Sequence, residues 1–480
     1  MKIVLLSGGS GKRLWPLSNE SRSKQFLKVL KNGRGERESM VQRVWRQITA
    51  AGLRDDAVIA TGRSQTEMIQ SQLGGEVELV VEPERRDTFP AIALAAVYLY
   101  SVKGVGLGET VVVMPVDPYV EESFFVKTRE LDPALRQSGA DLALMGVKPT
   151  FPSEKYGYIV PEPEPEGGAM PDKPFVNVSS FKEKPRKEEA AAMIDRAALW
   201  NCGVFAFKLD FLINILIAYE LPIQYDELLK QYGRLPKISF DYEIAERSRH
   251  IVALPYAGDW KDLGTWNTLT EEIDSPLTGN GTIAGDSRNT HVVNELDIPI
   301  TLLNLSDVVV AASPDGILVA DKAASPLIKE VMKHSEQRPM YEERRWGGYR
   351  VLDYLKYPDG TEVLTKRIRV APGRNLSYQY HELRDEVWTI AAGRGEMVLG
   401  GRRFPVKPGD VVKIPRACRH SLRAEAEAEL DVIEVQTGSE LIEEDIVRLA
   451  FDWDEILQIC AAEGALALLR HPDGAFGTTS

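Results

Sequence analysis

Cysteine, histidine, long apolar runs and surplus positive charge are all scarce in this chain, and each shortage removes a class of protein. Three cysteines in 480 residues, Cys202, Cys418 and Cys460, lie far apart with no C-x-x-C spacing. That excludes a disulfide-built scaffold and a thiolate metal knot. Only six histidines are present, so imidazole chemistry has to be argued position by position. No apolar stretch approaches the ~20 residues needed to cross a bilayer, and Met1 runs straight into Lys2-Ile-Val-Leu-Leu with no charged leader and apolar signal core. A cytoplasmic protein without a membrane partner is the expectation. Lys plus Arg total 58 against 71 for Asp plus Glu, a formal net charge of −13. Such a balance opposes DNA or RNA as the main partner, so anionic substrates must be met by local clusters of cations.

What is present is an ordinary globular composition, 44% hydrophobic and 27% charged, on a chain long enough for roughly two to four domains. From residue 1 to about 274, short β-rich runs (2–6, 57–61, 78–81, 110–115, 141–147, 204–207) alternate with helical stretches (40–50, 65–72, 90–103). This alternation predicts a Rossmann-like α/β domain with a mostly parallel sheet, whose ligands gather at the carboxyl ends of the strands. The run 161–174 reads as an exposed Pro/Gly loop. Residues 275–335 hold closely spaced short strands, a β-rich linker or a few coils of a β-solenoid. Strand and turn signals over 340–438 predict an all-β jelly roll, followed by a helical tail over 439–480.

The first strand stops at Ser7-Gly8-Gly9-Ser10-Gly11-Lys12-Arg13-Leu14-Trp15-Pro16, with Lys24-Gln25-Phe26 soon after. Closely spaced backbone N–H groups and cations suit a polyphosphate. The spacing fits neither a dinucleotide fingerprint, which needs glycine where Leu14 stands, nor a P-loop, which needs glycine at Leu6 and Ser or Thr at Arg13. Pro16 discourages a helix opening directly from the glycines, predicting a loop that lies over the phosphates. Asp117 directly follows an apolar strand and Asp262 sits in Trp260-Lys-Asp-Leu-Gly-Thr-Trp266. Two carboxylates beside a phosphate loop suit Mg²⁺, although a turn or capping role for Asp117 stands beside that reading.

The string GGSGKRLWP…KQF resembles the signature of sugar-1-phosphate nucleotidyltransferases, and specifically of mannose-1-phosphate guanylyltransferases. Lys12 replaces that family's threonine and Ser23 its proline. PVDPYVE is similar to the family's P-A-D-H segment, with Pro118 for histidine, and WKDLGTW to its W-x-D-x-G-x-W. Glu82-Pro-Glu-Arg-Arg-Asp-Thr-Phe-Pro is similar to the R-N-T-A-P stretch beside the base and ribose, with Asp87 and Phe89 as departures. Lys155-Tyr-Gly-Tyr-Ile, Phe181-Lys-Glu-Lys-Pro and Trp200-Asn-Cys-Gly resemble motifs lining the sugar-phosphate side. The resemblance implies catalytic roles for Arg13, Lys24, Asp117 and Asp262, nucleotide binding by Gly8, Gly9, Gly11, Lys12, Arg86 and Asp87, and sugar-phosphate binding by Gly157, Glu183, Lys184 and Asn201. It implies GTP and mannose 1-phosphate as substrates and Mg²⁺ on Asp117 and Asp262. Base, sugar and oligomeric state, including a homo-oligomer, stay open.

In the third region, Gln379 and His381 stand two apart on a strand-like stretch and therefore share a face. Glu386 and His420 complete a mixed N/O set suited to Zn²⁺, Fe²⁺, Mn²⁺ or Ni²⁺. The spacing resembles the two cupin motifs, in particular those of type II phosphomannose isomerases, in which Lys366 and Arg384 match positions that would hold a substrate phosphate. That family's Q-M-H-H-H-R-A-E-H-W run reads Gln379-Tyr-His-Glu-Leu-Arg-Asp-Glu-Val-Trp388 here, with Glu382, Leu383 and Val387 where the family has histidine. Isomerisation needs a proton shuttle, so metal binding is the firmer expectation. A second enzymatic reading is a bifunctional protein that also interconverts fructose 6-phosphate and mannose 6-phosphate. A reading of another class is a regulatory protein that senses nucleotide sugars without turnover.

Overall fold

A computed structural model describes residues 1–9, 12–19, 22–163, 173–334, 338–443 and 445–470. Gly11, most of the Pro/Gly run (164–172) and the last ten residues of the tail lie outside them. The chain divides into two compact units, Met1–Ser313 with Ile317–Ser335, and Pro314–Gly316 with Glu336–Ser480. No described helix is long and apolar enough to cross a membrane.

Side-chain alternation along the first strand, Lys2–Ser7, sets the layers of the first unit. Ile3 and Leu5 pack into one core with the helix Met40–Ala50, while Val4 packs into another with Thr88–Ser101 and Leu209–Ala218. Met40–Ala50 starts at a capping box in which Ser39 and Gln42 satisfy each other's backbone N–H. Thr88–Ser101 is apolar nearly all round and is buried accordingly.

Between these layers runs a nine-stranded sheet in the order Leu79–Glu82, Ala57–Gly62, Lys2–Ser7, Thr110–Pro115, Leu199–Lys208, Leu142–Val147, Ile251–Tyr256, Val176–Glu183, Gly157–Pro161. The first four are mutually parallel. The expectation of a mostly parallel sheet fails beyond them. Leu199–Lys208 runs antiparallel to both its neighbours, and Val176–Glu183 runs antiparallel to Ile251–Tyr256 and Gly157–Pro161. The consecutive strands Gly157–Pro161 and Val176–Glu183 pair directly with each other, folding back without the helical crossover that a parallel pair requires. The sheet is mixed.

Residues 277–313 form short strands in parallel ladders. Leu277 stands opposite Val292, Val292 opposite Val310, and Gly281–Ala284 lies beside Ile300–Leu303.

The second unit is an all-β cupin-like domain of two sheets. One has the order Tyr341–Arg344, Gly347–Lys356, Glu362–Val370, Leu430–Gly438, Arg384–Ala392, Val411–Ile414. The other has Arg402–Val406, Gly395–Leu399, His420–Ala424, Tyr378–Tyr380, Val447–Ala450. Trp388, Ile390, Leu422, Val432 and neighbours fill the core. The tail departs from its expected helical form: Val447–Ala450 is a strand paired with Tyr378–Tyr380, and the helix begins only at Trp453. The open sheet edge beside Val447 and Leu449 outweighs helix propensity there.

Candidate active site and candidate metal centre

Sheet register brings the first cluster together. Lys2–Ser7 and Thr110–Pro115 end on the same side, which sets the Gly8–Gly9 turn and Asp117 at neighbouring carboxyl ends. Pro118–Val120 then pairs antiparallel with Trp260–Asp262, Asp262 opposite Pro118, so two carboxylates remote in sequence become neighbours. Lys24, from the short turn Lys24–Phe26, fills the space between them: its Nζ lies 2.9 Å from Asp117 Oδ2 and 2.8 Å from Asp262 Oδ1. Burial acts to lower Lys24, but the two carboxylates outweigh it and hold the ammonium above the ordinary lysine range. Burial likewise acts to raise Asp262, and Lys24, Arg13 and Lys155 carry it below the usual carboxylate range. Arg13 and the Tyr156 phenol, pushed up to about 12 by burial and Asp262, lie within electrostatic reach of the cluster.

Beneath the turn sits a buried polar lattice that sequence reasoning missed. Gln65 Nε2 donates to Ser23 Oγ at 2.7 Å and to the Gly9 carbonyl at 3.4 Å, and Ser23 Oγ donates to the same carbonyl at 2.9 Å. Gln25 Nε2 reaches Ser7 Oγ and Gln65 Oε1, both at 3.3 Å. Ser23 thus anchors the turn where the resembled family has proline. Among the described residues, a Cβ on Gly8 would meet no atom within 4 Å, and one on Gly9 only Gln25 Oε1 at 3.9 Å. Packing among those residues does not require glycine at either position. The residues after Gly11 make a single 3-10 turn, Lys12–Leu14, and not a helix.

Of the remaining nucleotide-side candidates, Arg86 is engaged by its own surroundings, donating from Nε to the Leu235 carbonyl at 3.0 Å and pairing with Glu84 at 3.0 Å. Asp87 adopts φ 73° and accepts from Thr88 N at 2.8 Å, capping the helix Thr88–Ser101.

Gly157, Glu183, Lys184 and Asn201 do converge, from adjoining strands. A Cβ on Gly157 would lie 2.6 Å from Glu183 Oε2 and 3.3 Å from Asn201 Cβ, so only glycine lets the carboxylate lie there. Lys184 Nζ pairs with Glu183 Oε1. Asn201 donates from Nδ2 to Asp241 Oδ1 at 3.0 Å and accepts from Gly203 N at 3.0 Å. Asp241 joins this cluster without any sequence signal beyond a lone acid in Phe240-Asp-Tyr-Glu.

In the second unit, Gln379 stands directly opposite His420 in the ladder, and Glu386 opposite Gln436. His381, Glu386 and His420 meet inside the barrel, 2%, 1% and 0% exposed, as a group able to hold a metal ion. His381 Nε2 is 3.2 Å and His420 Nε2 3.5 Å from the Glu386 carboxylate. Each Nδ1 is anchored on a backbone carbonyl, of Asp445 and of Cys418. That tautomer turns both Nε2 lone pairs inward. His420 Nε2 is buried without a hydrogen bond, the orphaned atom expected of a ligand. Burial pushes His381 down to about 4 and lowers His420 too, keeping both rings neutral. Gln379 reaches the group with its amide nitrogen 3.5 Å from His381 Nε2, its oxygen accepting from Ser377 Oγ at 2.6 Å.

The two cations expected to hold a phosphate there are already paired. Lys366 Nζ lies 2.6 Å from Glu443, and Arg384 donates to Glu386 at 2.9 Å and approaches Asp445 at 3.5 Å. Glu434, another residue missed in the sequence, is buried beside them; Trp388 and Gln436 donate to it at 3.0 Å each, and burial and the Glu386 charge push it up to about 8.

Residues 2–277 match the family model described as nucleotidyl transferase. The chain belongs to that family. Residues 330–451 match the mannose-6-phosphate isomerase C-terminal model. The nucleotidyl transferase is 30% identical to the xanthan biosynthesis protein XanB of Xanthomonas campestris pv. campestris, over 93% of this chain and 97% of that one. It is 28% identical to the mannose-1-phosphate guanylyltransferase of Salmonella montevideo, over 93% and 98%. Among solved structures it resembles the Thermus thermophilus protein named mannose-1-phosphate geranyltransferase, with a TM-score of 0.55 and 26% identity, over 70% of this chain and 99% of that one.

Proposed function

We propose that this nucleotidyl transferase is a mannose-1-phosphate guanylyltransferase, converting GTP and mannose 1-phosphate to GDP-mannose and pyrophosphate for polysaccharide synthesis in the cytoplasm. The observation that carries the reading is the Lys24 ammonium held between Asp117 and Asp262 beside an open Gly8–Gly9 turn. Relatives named for guanylyl transfer and for alginate and xanthan biosynthesis support it. A sugar-phosphate oxygen attacks the α-phosphorus in line; the new O–P bond forms as the bond to the departing pyrophosphate breaks. A phosphate monoester is already nucleophilic, so no general base is needed. The backbone of Gly8 and Gly9, with Lys12, Arg13 and Lys24, orients the triphosphate and takes up its charge. Glu183 and Asn201 bind the hexose, and Lys184 meets its phosphate as a point charge. The all-oxygen pair Asp117 and Asp262 already converges on one cation, and so fits Mg²⁺, which when bound neutralises phosphate charge.

Residues 1–274 carry this chemistry, 275–335 form a β-rich linker that includes a few solenoid coils, and 340–438 form the cupin, with 439–480 as its tail. The cupin holds a divalent metal, Zn²⁺ or similar, on His381, Glu386 and His420, with Gln379 completing the set by turning its amide. Pairing of Lys366 and Arg384 with carboxylates, and the loss of three imidazoles at Glu382, Leu383 and Val387, disfavour isomerase turnover. A panel of four nucleoside triphosphates against mannose, glucose and fucose 1-phosphates, read as pyrophosphate release, tests the assignment. GTP with mannose 1-phosphate should lead by at least about tenfold. No release from any pair would favour the sensor reading, and product from fructose 6-phosphate would restore the isomerase.

A further inference from the structure

Asn201 is bonded at both ends of its amide, to Asp241 and to Gly203 N. Its amide therefore fixes Asp241 in the sugar pocket. Glu183, 7% exposed, holds Lys184 through Oε1, and its backbone N–H donates to Glu246. Among the described residues no side chain donates to Glu183 Oε2, and none besides Asn201 donates to the Asp241 carboxylate, whose own backbone N–H also lies against it. Glu183 Oε2 lies where a side chain on Gly157 would begin. Asp241 opens a five-residue π-helical turn, Asp241–Ala245, an irregularity that often aims a side chain at a site.

We propose that Asp241 contacts the substrate directly, acting with Glu183 as a paired acceptor for hydroxyls of the hexose and so setting sugar specificity. This rests on the nucleotidyl-transfer reading above. Two anions facing one another in a recess are destabilised until donors arrive, and burial together with the Glu183 charge pushes Asp241 up to about 7. Hydroxyl groups supply such donors without adding charge. A divalent cation fits less well, because the Lys184 ammonium already holds Glu183.

The test uses the full chain with Asp241→Asn and Asp241→Ala, at fixed GTP, against mannose 1-phosphate and its 2-, 3-, 4- and 6-deoxy analogues. In the wild type, kcat/KM for at least one analogue falls by about tenfold or more, as for a pocket left with an unpaired polar group. In both variants mannose 1-phosphate loses about 10–100-fold, that analogue changes by less than about threefold, and KM for GTP is unchanged. Unchanged GTP binding shows that the variants fold. Asp241→Glu should restore part of the discrimination. Variants that keep the full deoxy penalty, or that lose sugar and GTP parameters together, would overturn the assignment. Failure of the underlying reading is distinguishable, since it shows in the wild type alone, as no pyrophosphate release with GTP and mannose 1-phosphate. The same analogue series on whichever hexose 1-phosphate is accepted then decides Asp241.

Discussion

Replacing Lys24 by methionine keeps the length of the side chain and removes the charge that separates Asp117 from Asp262. The ammonium sits 2.9 and 2.8 Å from the two carboxylates, with 22%, 24% and 33% of the three side chains exposed. Breaking a fully buried pair costs about 3–5 kcal/mol, and an exposed one under about 1 kcal/mol. Partial exposure puts the loss between these, at about 1–3 kcal/mol, or for a unit of this size a thermal midpoint lower by roughly 1–4 °C. The pH dependence follows from the sign. Asp262 is depressed in the folded wild type, so its contribution is present above the unfolded aspartate pKa of about 3.9 and is lost as pH falls through the lower folded value. In Lys24→Met the ammonium that depresses Asp262 is gone and two carboxylates face each other uncompensated, a repulsion that protonation relieves. The deficit is therefore largest near neutral pH and shrinks towards pH 4. Millimolar Mg²⁺ without nucleotide should raise the midpoint of the variant more than that of the wild type, because the ammonium no longer fills the position between the carboxylates. Thermal melts from pH 4 to 8, with and without Mg²⁺, read both effects. Equal melting of variant and wild type across that range, with no difference in the response to Mg²⁺, would refute the reasoning.

Three further outcomes follow from single contacts. Gly157→Ala puts a Cβ 2.6 Å from Glu183 Oε2; displacement of that carboxylate should raise KM for mannose 1-phosphate about tenfold or more and leave KM for GTP alone. Gln65→Ala removes the donor to Ser23 Oγ and the Gly9 carbonyl, so the affinity for GTP, measured by calorimetry, should weaken by about 1–2 kcal/mol, roughly tenfold. His420→Ala removes an orphaned buried nitrogen from the cupin group; elemental analysis should show bound divalent metal falling from about one per chain to near none, with guanylyl transfer retained.

Strands with unbroken apolar runs were the readable part of the fold. The helix expected at 40–50 is Met40–Ala50, and the strand expected at 110–115 is Thr110–Pro115. The antiparallel half of the first sheet was not readable, because Gly157–Pro161 is short, Val176–Glu183 is interrupted by polar residues, and the Pro/Gly run between these two paired strands is too long to give a hairpin signal. Among candidate site residues, those close to glycines and strand ends announced themselves: Lys24, Asp117 and Asp262 meet as neighbours, and Gln379, His381, Glu386 and His420 gather in the barrel. Asp241, Glu434 and Gln65 did not, since a single acid or amide acquires meaning only from the neighbours that register brings to it. Nor can spacing reveal that a cation is already paired, as the structure shows for Lys366, Arg384 and Arg86.

The most direct measurement is the fate of phosphorus. With GTP labelled at the α-phosphorus, mannose 1-phosphate and Mg²⁺, the label should pass into GDP-mannose while the β- and γ-phosphates leave together as unlabelled pyrophosphate, one for each sugar nucleotide formed. Label recovered in GDP alongside inorganic phosphate, or no consumption of GTP by folded protein, would contradict attack at the α-phosphorus held beside Gly8 and Gly9.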